Sequence, residues 1–174
     1  MVGSLVAAFA GDPVLRHLFP DDGYPRHAAA FFGHLFDRRV HRGTVWTIEQ
    51  GASVAMWDAP GAGGGPARKV LAAQLPAAAM ARIDAYNETV HAALPSPPFW
   101  YLGVLGTHPD RAGRRWGRAL MATGLRRAAA EGLPAVLETS NPVNVGVYRR
   151  AGWTVVSEIT AEPLTIWIMQ RPAA

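Results

Sequence analysis

Apolar positions recur along this chain with two different periods, and the switch between them outlines the elements. "SLVAAFAGDPVLRHLF" (4–19) has helical spacing and breaks at Gly11–Pro13. A second helix is predicted from Tyr24 to Val40, where Ala29, Phe32, Leu35 and Phe36 recur at three or four residues, with Asp21 or Asp22 as its cap. The period then drops to two. "TVWTIE" (44–49) and "ASVAMW" (52–57) read as strands joined in a hairpin by the short Gln50–Gly51 turn. "DAPGAGGGPARK" (58–69) reads as a loop. Its "GAGGG" (61–65) reads as a mobile stretch and not a phosphate cradle, because no helix starts directly on it. Residues 67–94 are helical with an interruption at Pro76, and "PSPP" (95–98) ends them.

The C-terminal half alternates strand and helix. "FWYLGVLGT" (99–107) reads as a buried strand, 114–132 as a strong helix, and "PAVLETS" (134–140) as another strand. A short helix follows at 144–152, with Asn144 able to cap its start, then two closing strands at 153–160 and 164–170. This order predicts an α/β (α+β) chain with a mixed central sheet, one parallel crossover and helices on both faces. No internal repeat or linker divides it. The expectation is one domain over 1–174, with 1–98 as N-terminal helices and hairpin, 99–155 as the core and 156–174 as the closing strands.

Composition narrows the class. A chain of 174 residues, 49% apolar and 17% charged, suits one globular core. The absence of cysteine excludes disulfides, thiolate nucleophiles and Cys-ligated zinc. Net charge is +4, and Lys69 is the only lysine among the cations. Apart from 111–118 the basic residues are scattered, so no nucleic-acid partner is expected. No apolar run approaches the ~18 residues of a membrane span, and the N-terminus lacks a basic start. The expectation is a cytoplasmic protein without a membrane partner.

The stretch "GTHPDRAGRRWGRALM" (106–121) is unusual in its charge. Arg111, Arg114, Arg115 and Arg118 crowd the start of a helix, where the dipole disfavours cations by about 0.3–1 kcal/mol each. A bound anion resolves the conflict, since a helix start offers unpaired backbone N–H groups to a phosphate. Gly113 and Gly117 would let it approach the backbone. The pattern is neither a Walker loop nor a GxGxxG fingerprint. An ordinary turn with solvated arginines is the competing account.

"WYLGVLGTHPDRAGRRWGRALM" followed by "LETSNPVNVGVYRRAGWTVV" resembles the GCN5-related N-acetyltransferases (GNAT), most closely the puromycin N-acetyltransferase branch. The strong part of the resemblance covers 99–155. It implies the acyl-CoA N-acyltransferase fold, in which the parallel strands 99–107 and 134–140 splay apart, and it implies acetyl-CoA as co-substrate. The pantetheine arm would pair near Leu105, Gly106 and Thr107. The pyrophosphate would sit on Ala112, Gly113, Arg114, Arg115, Trp116, Gly117 and Arg118, with the arginines facing the phosphates. Ala112 stands where the family has Gln or Arg, and Arg115 where it has Gly. The family begins with a strand before its first helix, whereas this sequence starts almost inside that helix: either the edge strand is lacking or the true start lies upstream, and a lacking strand leaves an edge that can pair with a second copy in a homodimer.

Acyl transfer to an amine needs a base for the ammonium, a donor for the oxyanion and an acid for the thiolate. With no nucleophile in evidence, direct attack in a ternary complex is the simpler scheme. By resemblance Tyr148 is the general acid; packing a short helix on the sheet would equally account for it. Glu138, a carboxylate on the apolar strand "VLETS", is the first base candidate, or else an outward-facing surface residue. His108 and His41 are weaker candidates. Asn144 either contacts pantetheine or caps its helix. His27, His34 and His41 share a helix face at ~10.5 Å intervals, too far apart for one metal ion, and no metal is expected. Trp46, Trp57, Trp100 and Tyr101 offer aromatic surface to an acceptor, and Asp58, Asp84 and Glu88 offer charge to a cationic amine. The function expected is N-acetylation of a small-molecule amine. The alternative is a degenerate member of the fold with impaired cofactor binding, acting as an interaction module.

Overall fold

The computed structural model describes residues 1–62 and 68–173. Residues 63–65 of "GAGGG" lie outside them. The hairpin forms where the period of two predicts it, as β1 (Val45–Ile48) and β2 (Ser53–Asp58), paired antiparallel. The turn is longer than a two-residue Gln-Gly link: Glu49, Gln50 and Gly51 all have positive φ. Residues Ser53 to Trp57 are buried on both sides of the sheet. Alternation sends Val54 and Met56 into one core and Ala55 and Trp57 into the other.

The sheet is completed by β3 (Trp100–Thr107), β4 (Ala135–Thr139), β5 (Thr154–Ala161) and β6 (Leu164–Arg171). Its order is β1-β2-β3-β4-β6-β5, with β3 and β4 parallel and the remaining neighbours antiparallel. Among the described residues no strand precedes β1, which forms one edge.

Helices cover both faces. On one side lie α1 (Val2–Ala8), α2 (Pro13–Leu18), α3 (Tyr24–Val40), α4 (Arg68–Ala72) and α5 (Ala77–Ala93), around Leu5, Phe32, Met56, Ile83 and Val104. On the other lie α6 (Trp116–Ala130) and α7 (Pro142–Arg150), around Trp57, Leu120, Met121, Leu137 and Trp153. Gly124 of α6 makes the second contact possible, because any Cβ there would enter the indole of Trp57, which is fully buried.

Three local expectations are corrected. The core face of α3 runs through Tyr24, Ala28 and Phe32, leaving Ala29 only half-buried. Neither Asp21 nor Asp22 is its N-cap. Gly23 holds that position, and Asp21 Oδ1 instead accepts the Gly23 N–H at 2.9 Å. Asn144 does not cap α7, which starts two residues earlier. Asn141 does, its Oδ1 accepting the Val143 N–H at 3.0 Å.

Candidate active site

β3 and β4 pair only at Trp100–Ala135 and Tyr101–Val136. Beyond that point the strands part. On its other edge β3 stays paired with β2 through Thr107, so the gap opens on the β4 side alone. A bulge lies beside the parting point: Trp57 pairs with Leu102 and Met56 with Val104, leaving Gly103 extra. The added residue reverses the facing of β3, so Leu102 belongs to the α6 core and Val104 to the α1–α5 core. Gly103 has no room for a larger residue without displacing the Arg39 guanidinium, 3.0 Å from an ideal Cβ.

The splayed strand leads into a 3₁₀ turn (Pro109–Arg111) and then α6. Gly113 and Arg115 both hold positive φ, +80° and +60°. Arg115 is thus the N-cap of α6 in a left-handed conformation that suits glycine, at a cost of about 1–2 kcal/mol. The Ala112 N–H is already donated to the Pro109 carbonyl at 3.0 Å. The Ala119 N–H donates to the Arg115 carbonyl at 3.1 Å. Between them, the N–H groups from Gly113 to Arg118 have no acceptor among the described residues. An added Cβ at Gly113 would meet nothing within 4 Å, and one at Gly117 nothing nearer than Thr107 Oγ1 at 3.8 Å. This is an open cradle of unspent donors. The exposed side chains of Arg115 and Arg118 have no hydrogen bond or ion pair among the described residues. Arg111 and Arg114 each lie 3.8 Å from Glu49 on the hairpin turn, and Arg114 also stacks on Trp116.

From the gap a cavity of about 680 Å³ extends between the sheet and the helices α2, α3 and α5. Leu105, Thr139, Ser140, Asn144 and Tyr148 line its end beside the β3–β4 gap, and Glu138 lines it from β4. Glu138 is therefore not an outward-facing surface residue. Tyr101 donates a short hydrogen bond to its Oε2, and Tyr86 donates to Oε1 at 3.5 Å. Burial pushes the Glu138 carboxyl above the ordinary carboxylate range, against the lowering effect of the Tyr101 bond. Tyr148 packs edge-on against Trp153, and its hydroxyl has no hydrogen-bond partner among the described residues. Burial, with Glu138 and Asp12 adding to it, pushes the Tyr148 phenol up, so it stays protonated at neutral pH.

Other candidates lie elsewhere or are already engaged. Leu105, Gly106 and Thr107 occupy the splayed half of β3, with Gly106 packed on Leu5 and Phe9 and Thr107 bonded to Ser53 Oγ at 2.8 Å. His41 and His108 do not line the cavity, and His108 turns to Asp110, with Nδ1 accepting its N–H at 3.3 Å. His27 is buried beside Arg26 and Phe19, while His34 lines the cavity, so the three-histidine stripe divides between core, cavity and surface. Trp46, Trp57 and Trp100 pack in the α6 core on the far side of the sheet, and only Tyr101 of that aromatic set reaches the cavity. Asp58 is held by Arg39 at 2.5 Å, Asp84 pairs with Arg68, and Glu88 is exposed away from the cavity. Sequence reasoning missed Tyr86, Arg39 and Asp12. Asp12 had one signal, a cap before Pro13, and it does accept the Leu15 N–H at 3.1 Å.

Residues 70–153 match the family model described as the Acetyltransferase (GNAT) family. The structure resembles one reported as a histone acetyltransferase HPA2 and related acetyltransferase from Corynebacterium glutamicum, with a TM-score of 0.70 and 23% identity over 99% of this chain and 89% of that one. It also resembles the C-terminal condensation domain of Ebony in complex with beta-alanyl-dopamine (TM-score 0.71, 10% identity, 98% and 92% covered). A third is the arylalkylamine N-acetyltransferase 2 of Aedes aegypti (TM-score 0.63, 13% identity, 99% and 93% covered). The chain has the GNAT acyl-CoA N-acyltransferase fold: a single mixed α/β domain with six strands among the described residues and β3 and β4 parallel. The family model covers just under half of the chain and agrees with that fold. Among the described residues no helix is long and apolar enough to cross a membrane, and no three acidic or histidine side chains are grouped to hold a metal ion.

Proposed function

We propose that this protein is an acetyl-CoA-dependent N-acetyltransferase that acetylates the amine of a small molecule by direct attack in a ternary complex. The observation that carries this reading is the continuity of three features. The β3–β4 gap leads at one end to the unspent N–H cradle of 113–118, and it opens at the other beside Tyr148 and Glu138. The residues fit the co-substrate: the cradle and free arginines suit a pyrophosphate, and the gap suits an extended arm that pairs like a strand. Asn144, at the cofactor end, would contact that arm. Bound there, acetyl-CoA supplies an activated acetyl thioester.

Glu138 takes the proton from the ammonium of the acceptor. The freed amine nitrogen bonds to the acetyl carbon as the carbon–sulfur bond breaks, Tyr148 gives its proton to the departing thiolate, and the second proton leaving the nitrogen restores the Tyr148 phenol. Tyr101 and Tyr86 hold the Glu138 carboxylate in place. The Arg115 side chain faces solvent, leaves the cradle open and adds a cation beside it. The similarity to the puromycin branch makes an aminoacyl-nucleoside one acceptor to screen. The reading is tested by calorimetric titration with acetyl-CoA, beside an Arg115→Gly variant, followed by thiol release with amines. Micromolar binding by the native protein and amine-dependent thiol release are expected. Binding by the variant alone would show a cradle closed by Arg115 and favour the non-catalytic alternative.

A further inference from the structure

The charges lining the acceptor half of the cavity do not cancel in place. Arg39–Asp58 and Arg68–Asp84 are neutral pairs. That leaves two carboxylates, Asp12 and Glu138, and the Arg38 guanidinium, all lining the same cavity. Asp12, the cap of α2, and Glu138 on β4 line this cavity together with Tyr148, so its negative charge stands on the same set of walls as the proposed acid. Arg38 lies on α3 one turn beyond His34, on the same helix face. It is half-buried, and it has no hydrogen bond or ion pair among the described residues. His34 lines the cavity beside it, held neutral by burial and then by the Arg38 charge, with a buried Nδ1 that no group among the described residues satisfies. Apolar side chains such as Phe31, Leu35 and Phe99 line the same chamber. A half-buried guanidinium without a counter-ion is available to an anion entering the cavity, and its planar fork matches a carboxylate.

We propose that the acceptor is a zwitterion, a primary amine that also carries a carboxylate. Its ammonium is received by Glu138 and Asp12 beside Tyr148, and its carboxylate pairs with Arg38, with the His34 imidazole as a second donor. Amino acids and molecules ending in an amino-acid-like amine and acid form the class. The inference rests on the acetyl-transfer reading and specifies the acceptor for the same site.

The test is thiol release from acetyl-CoA with matched amines that differ by the carboxylate: L-phenylalanine and phenethylamine, L-leucine and isopentylamine, L-lysine and cadaverine, 4-aminobutyrate and propylamine. The native protein and Arg38→Gln are compared, with acetyl-CoA binding measured by calorimetry in parallel. In at least one pair the acid-bearing member is expected to lead by about tenfold or more in kcat/KM, as a site built for a polar group discriminates. Arg38→Gln should collapse that ratio through KM while acetyl-CoA affinity is unchanged. Preference for the plain amine in every reacting pair overturns the proposal, and so does a ratio that Arg38→Gln leaves intact. Acetyl-CoA binding without turnover of any acid-bearing amine overturns the zwitterion and leaves acetyl transfer standing. Failure to bind acetyl-CoA overturns the reading beneath both.

Discussion

At the scale of single residues, Tyr148 and Glu138 are proposed to do different work, and their variants should separate it. Tyr148→Phe keeps the ring on Trp153 and removes only an unpartnered hydroxyl. Stability and acetyl-CoA affinity should hold, while kcat falls by about 10²–10⁴-fold, the usual worth of a positioned acid; steady-state kinetics beside calorimetry checks both. Glu138 is read through pH. Burial raises its carboxyl, so the folded state holds that proton more tightly than the unfolded chain. Its contribution to stability is therefore full below the ordinary carboxylate range and is lost as pH rises through the raised value. Glu138→Gln should be more stable than the native protein at pH 8 and lose that advantage at pH 4, as urea midpoints would show. The same variant should abolish the acid limb of kcat/KM, which is expected above the ordinary carboxylate range in the native protein. The sequence exposed Glu138 as a carboxylate among apolar neighbours, but it left the facing of the side chain open. Its partners Tyr86 and Tyr101 come from α5 and β3, 52 and 37 positions away, a separation no local pattern encodes.

At the scale of elements, packing decides what periodicity cannot. The 3.6 period of α6 and the turn signals around it were readable, and the helix lies within the expected span, at Trp116–Ala130. What the helix rests on was not readable. Gly124 meets the buried Trp57 ring so closely that a methyl group has no space. Gly124→Ala gains about 1 kcal/mol of helix propensity and overpacks a rigid contact by about 1–3 kcal/mol. The net effect should be destabilising, seen as a lower urea midpoint with an unchanged slope. If the variant is more stable, the α6–β2 contact is looser than described. The β3 bulge follows the same logic. "FWYLGVLGT" reads only as one buried strand, because one extra residue changes the partner register without changing composition. The α7 cap was misplaced for a similar reason: Asn141 and Asn144 are equally good cap residues in isolation, and Pro142 in the first turn decides for Asn141.

At the scale of the whole molecule, the fold joins two halves by a weak seam. The β1–β2–β3 half and the β4–β6–β5 half meet in the sheet at two residue pairs. A ligand seated in the remaining gap supplies the missing strand-like contacts and spends the free donors of 113–118 only when the protein is folded. Binding must then stabilise the chain by mass action. At a hundredfold excess over Kd, acetyl-CoA should add about 2.7 kcal/mol. For a domain of this size each kcal/mol shifts Tm by about 2–4 °C, so a rise of roughly 5–11 °C is expected. The arginines around the cradle should make part of that gain electrostatic. Raising salt tenfold should weaken acetyl-CoA binding, because these arginines are exposed and open to screening. Acetyl-pantetheine, which lacks the nucleotide and the pyrophosphate, should bind more weakly and show little salt dependence. Thermal denaturation with each ligand at two ionic strengths separates the contributions of gap and cradle. Equal shifts from the two ligands would place the binding energy in the β3–β4 gap alone and leave the arginine cluster without a part in it.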